Sequence, residues 1–143
     1  MAATQYINAD SGRFVTENAA GFFIVSVTAS ASIEGWLYDC YTPDHSGTYA
    51  KTNASGITTS TTAGGTVLVG TDEITTPENA VWMPVLSTYT LTAANVGDIC
   101  DLNYTNSGTT AKQTVDPATN TVHHVKILDV DLAHQYALVY VYI

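Results

Sequence analysis

The sequence predicts an all-β domain: a small antiparallel Greek-key or OB-like barrel or sandwich, with additional N-terminal strands and long loops. Composition points there first. The 23 threonines and nine tyrosines, with many valines, fit a pleated, half-buried surface, whereas leucine, glutamate and lysine, the good helix formers, are sparse. Turn signals then punctuate the chain at short intervals, at Pro43-Asp44, Ser46-Gly47, Gly64-Gly65, Pro77, Ser107-Gly108, and Asp116-Pro117 with Asn120. The length of 143 residues suits one domain, burying roughly 68–70 % of the unfolded surface around a single core.

Taken in order, residues 1–20 read as a weakly structured N-terminal arm. Residues 21–143 read as one β domain, with its barrel-like part from about residue 80 onward. Strands are expected at Gly21 to Ala29, Gly35 to Tyr41, Thr66 to Gly70, Ala80 to Leu86, Asp98 to Tyr104, Thr109 to Val115, Thr121 to Asp131 and Gln135 to Tyr142. Eight short strands at this spacing suit antiparallel pairing in a sandwich or barrel. The stretch Thr52 to Thr66 is small and polar apart from Ile57, and reads as a long loop, either ordering against a neighbouring subunit or forming a flexible hairpin tip. One helical turn fits the sequence, Thr92 to Val96, opened by a capping threonine and stopped by Gly97.

The net charge is -9, and the four basic side chains, Arg13, Lys51, Lys112 and Lys126, are scattered singly. No basic stripe or patch exists for phosphate backbones or anionic membranes, so neither nucleic acid nor a membrane is an expected partner. The longest apolar run, Tyr136 to Ile143, is far below the about 20 residues of a membrane span. The first residues, Met1-Ala2-Ala3-Thr4-Gln5, lack a basic start and apolar centre, which points to synthesis in a cytosol. Cys40 and Cys100 are too few for a disulfide framework; two buried thiols are expected, with a single bridge as the other arrangement.

The last strand carries the most informative pattern. Ala137, Val139, Val141 and Ile143 fall on one face, and Tyr136, Leu138, Tyr140 and Tyr142 on the other. Both faces are apolar, so the strand is expected to be covered on both sides, by its own fold or by another chain. Tyrosine offers a large rigid ring with a hydroxyl that can stay wet, which makes Tyr136, Leu138, Tyr140 and Tyr142 the candidate partner interface. Phe22 to Val27 repeats the pattern more weakly.

Reactive chemistry is sparse. The chain has no nucleophile elbow, phosphate loop, zinc-protease helix or paired CxxC, so no catalytic residue and no cofactor is assigned. His123 and His124 would point to opposite faces of a strand and cannot share a metal unaided. Asp129 and Asp131, with Asp98 and Asp101, offer oxygen ligands at a spacing that is common in solvated turns, and no metal site is assigned. Trp36 and Trp82 are either core residues, as their apolar neighbours favour, or a platform for a sugar; the latter gives the alternative function, a carbohydrate-binding or adhesin-type module on a virion or cell surface.

From Tyr89 onward the chain runs through Leu91-Thr92 and Val96-Gly97, Asp98 to Leu102, Gln113 to Asp116, an Asn120-bearing turn, Asp129-Val130-Asp131 and a Val-rich last strand. This succession is similar to the C-terminal part of capsid decoration (cement) proteins of tailed bacteriophages. The Val81 to Val85 and Gly35 to Tyr38 segments fit the same pattern. The resemblance implies a non-enzymatic virion protein, made in the host cytoplasm, whose partners are the major capsid protein and itself, as a homotrimer, on the outer surface of an icosahedral head. It supplies no catalytic residues to carry over.

Overall fold

The computed structural model describes residues 6–8, 12–21, 23–25, 32–40, 51–52, 56–58, 67–70, 74–105, 112–122 and 125–142. Its strands are β1 (Tyr6–Asn8), β2 (Phe14–Glu17), β3 (Phe23–Val25), β4 (Gly35–Cys40), β5 (Lys51–Thr52), β6 (Gly56–Thr58), β7 (Val67–Gly70), β8 (Val81–Pro84), β9 (Ile99–Thr105), β10 (Lys112–Asp116), β11 (Val125–Asp131) and β12 (Tyr136–Val141). They form a five-stranded sheet in the order β10-β9-β11-β12-β8, a four-stranded sheet β3-β2-β4-β7 and a three-stranded sheet β1-β6-β5, with antiparallel pairing throughout.

The fold is all-β and takes the sandwich form. The five-stranded sheet curls until Val85, just past β8, meets Val115 of β10 in one parallel bridge, and the Leu86 N–H donates to the Val115 carbonyl at 2.9 Å. One bridge is not a ladder, so no closed barrel forms. Pro84 ends β8, an outer strand of the sheet, where a missing N–H removes no bond from a ladder interior.

The core lies on the inner side of this sheet. Met83, Cys100, Leu102, Val115, Val125, Ile127, Ala137 and Val139 are all buried, and Phe14 enters the same cluster from the four-stranded sheet. Phe14 meets Trp36 of β4 edge to face, with ring centroids 4.9 Å apart. The short turn at Ala93–Asn95 forms as the sequence predicts: Asn95 Oδ1 accepts from the Thr92 N–H at 2.9 Å, and Gly97 stops the turn at φ 95°. A second 3-10 turn, Pro77–Asn79, was not expected; its proline sits where the first helical N–H has no partner to lose.

Residues 1–20 are not a weakly structured arm over their described part. Tyr6–Asn8 pairs with Gly56–Thr58, and Phe14, Val15 and Thr16 are buried. What pins Phe14 is a buried side chain 99 residues away. Gln113 Oε1 accepts from the Phe14 N–H at 2.8 Å, and Gln113 Nε2 donates to the Phe14 carbonyl at 2.9 Å. The amide thus makes the paired bonds that a neighbouring strand's backbone would make. Alongside, the Gly12 N–H donates to the Gln113 carbonyl at 3.1 Å, and a Cβ on Gly12 would overlap Met83 Cε.

The expected loop from Thr52 to Thr66 is also corrected in part, because Gly56–Thr58 is a strand between β1 and β5; residues 59–66 lie outside the described residues, as do His123 and His124. The expected strand from Thr121 begins later, at Val125. Thr121 and Val122 instead form a bend held by Asp101, a wholly buried carboxylate. It accepts from the Thr121 N–H at 2.8 Å, the Thr121 hydroxyl at 2.7 Å and the Val122 N–H at 3.0 Å.

Candidate functional site

The outer side of the β11-β12-β8 triplet is built by strand alternation from the residues that pair across it. Ala137, Val139 and Val141 of β12 point into the core, which turns Tyr136, Leu138, Tyr140 and Tyr142 outward. Leu138 stands opposite Trp82 and Tyr136 opposite Pro84 on β8. On the other side, Lys126 faces Tyr140, Asp129 faces Leu138 and Asp131 faces Tyr136. A β-bulge between Ile127 and Asp129 makes this register possible, since without the extra residue Asp129 would turn inward.

The result is an aromatic face bordered by charge. Trp82 is 48 % exposed and Tyr142 38 %, with Tyr136, Leu138 and Tyr140 half-buried. Lys126 Nζ lies 5.7 Å from the centre of the Tyr142 ring, a cation–π contact that holds the lysine over the face. Among the described residues, the expected cover on both sides of the last strand is complete on one side only: the tyrosine side is half-buried to exposed.

At the hairpin end the face dips into a shallow depression lined by Trp82, Asp131, His134 and Tyr136. The turn that shapes it is strongly tied. Asp131 Oδ1 accepts from the Ala133 N–H at 3.0 Å and the His134 N–H at 3.1 Å, while Oδ2 lies 2.7 Å from His134 Nδ1. The bond to the His134 side chain, then that to its backbone, holds the Asp131 carboxyl below its ordinary range. Gln135 closes the hairpin at φ 58°, a left-handed conformation that a non-glycine residue keeps only when its surroundings hold it. Its Nε2 donates to the Leu132 carbonyl at 2.8 Å, its Oε1 accepts from the Leu91 N–H at 2.7 Å, and its carbonyl accepts from the Val85 N–H at 3.1 Å.

The tryptophans do not form one platform. Trp36 packs on Phe14 against the core, whereas Trp82 stands out on the opposite side of its strand from buried Met83. The core placement favoured for Trp82 is therefore corrected: its apolar neighbours Val81 and Met83 face inward, and alternation turns Trp82 away. Sequence reasoning missed His134 and the use of Asp131, because only the hairpin and the pairing of β8 with β12 bring them to Trp82.

The Cys100 thiol is free and buried, and burial, followed by the charges of Asp98, Asp101 and Asp116, pushes its pKa up to about 12. The Cys40 side chain lies outside the described part of the structure. Asp98, Asp101, Asp129 and Asp131 are not gathered: among the described residues, no three His, Cys, Asp or Glu side chains are placed to hold one metal ion. No helix among them is long and apolar enough to cross a membrane. Comparison with known protein families, curated proteins and solved structures finds no match to this chain.

Proposed function

We propose that this protein is a non-enzymatic structural protein of a tailed-phage virion, docking as a homotrimer on the outer surface of an icosahedral head and stiffening it by bridging capsomers. The observation that carries this reading is the outward face of β12, in which half-buried Tyr136, Leu138 and Tyr140 and exposed Tyr142 stand beside an exposed Trp82. Tyrosine and tryptophan are among the residue types that dominate protein contacts, because each removes a large area from water at little cost in side-chain entropy. The resemblance of the sequence from Tyr89 onward to decoration proteins suggests the kind of partner. The charge of -9 supports an outside position, since packaged DNA repels it.

Docking of this kind needs no single strong site. Bridging two or three capsomers raises affinity through effective concentration, and a subunit that binds only the expanded shell stabilises that state by mass action. Electron cryomicroscopy of undecorated heads of the cognate phage mixed with this protein tests the proposal. Density at three-fold and quasi-three-fold positions is expected; heads that stay bare under saturating protein overturn it.

A further inference from the structure

We infer that the depression at the β11–β12 hairpin is a binding site for a saccharide, stacked on the indole of Trp82 and hydrogen-bonded by His134 and Tyr136. Three features point to this ligand class. First, Trp82 is 48 % exposed although it sits in a strand whose other face is core, so an aromatic side chain stands at the surface where a pyranose can stack on it. Tyr136 is its diagonal neighbour across the β8–β12 pairing, which places it within about 7–8 Å, the span of one sugar ring.

Second, polar groups suited to hydroxyls surround that ring. The His134 side chain is 76 % exposed with Nδ1 committed to Asp131 at 2.7 Å. The Asp131 carboxylate, held below its ordinary range, accepts from the Nδ1 side of the ring, which leaves Nε2 as the second ring nitrogen for a hydrogen bond with a sugar hydroxyl. The Tyr136 hydroxyl can both donate and accept.

Third, the geometry is set before any ligand arrives. Two backbone N–H groups and the imidazole fix Asp131, and the bonds of Gln135 fix the turn. A prearranged site loses little ordering entropy on binding. An aromatic pair with a carboxylate also suits a quaternary ammonium group. Here the carboxylate is already engaged on both oxygens, by His134 and by the turn, which disfavours a cation and favours a neutral polyol.

The site shares Trp82 and Tyr136 with the proposed docking face, so a docked subunit would cover it and the isolated protein is the right material. A panel of gluco-, manno-, xylo- and chito-oligosaccharides, together with purified bacterial O-polysaccharide, is titrated while tryptophan emission is followed; Trp36, packed on Phe14, gives a constant background. Saturable binding by at least one saccharide is expected, with a blue shift from Trp82. Trp82→Ala is expected to weaken it about ten-fold or more, and His134→Ala several-fold, each with the fold retained by far-ultraviolet circular dichroism. Silence across the panel at millimolar concentration overturns the inference. Binding that survives both substitutions overturns the site, and preferential binding of phosphocholine over every saccharide overturns the ligand class.

Discussion

Replacing Gln113 with methionine tests the join between the two larger sheets. Methionine nearly conserves volume and fits the apolar surroundings, so the change isolates the two hydrogen bonds to Phe14, at 2.8 and 2.9 Å. Phe14 is 2 % exposed and Gln113 0 %, so water cannot take the amide's place. Each orphaned backbone group costs about 1–3 kcal/mol, giving about 2–6 kcal/mol for the pair. Added apolar burial by methionine offsets part of this, leaving about 3 kcal/mol. For a domain of this size that lowers Tm by roughly 10 °C. Urea titration followed by far-ultraviolet circular dichroism measures the change, and hydrogen exchange locates it: the Phe14 amide loses protection ahead of those in β11 and β12. A Gln113→Met protein within about 0.5 kcal/mol of the wild type, with the Phe14 amide still protected, refutes the role given to this side chain.

Three further outcomes follow from particular contacts. Cys100 resists alkylation in the native protein at pH 8–9. Its folded pKa, about 12, exceeds the ordinary 9.0, so the stability it contributes is complete below pH 9 and falls at about 1.4 kcal/mol per pH unit above that; comparison of wild type with Cys100→Ala across this range isolates the slope. Asp101→Ala, which strips the Thr121–Val122 bend of three acceptor bonds, destabilises the fold by about 3 kcal/mol in urea titration. Asp131 titrates below the ordinary 3.8 when followed by carboxyl NMR shifts, and His134→Ala moves the midpoint part of the way back. What Asp131 contributes is therefore present at neutral pH and lost as pH falls through its lowered midpoint.

Much of the C-terminal half was legible from local chemistry. Threonine, valine and tyrosine in short runs between Pro, Gly and Asn turns give β8 to β12 within a few residues of their ends, and Thr92 with Gly97 gives the helical turn. The two faces of β12 could be separated by alternation alone, but both are apolar, and no local pattern says which is inner. That choice depends on β12 lying between β11 and β8. The same limit hid Trp82, whose exposure depends on Met83 taking the inward position. Strands β1 and β2, unlike β3, β4 and β7, were illegible for another reason. Phe14 and Val15 make too short a run to show a period, and the hydrogen bonds that fix them come from Gln113, a polar residue that reads as solvent-facing until its partner is known.

Hydroxyl-radical footprinting of this protein, free and bound to heads, is the most direct measure of whether the open aromatic face of β12 meets the shell or a sister subunit. Tyr136, Tyr140 and Tyr142 are expected to label readily in the dilute free protein and to lose most of that labelling in the head-bound form, with Trp82 as a neighbouring reporter. Undiminished labelling of all three tyrosines in protein that demonstrably remains on the heads would contradict the account.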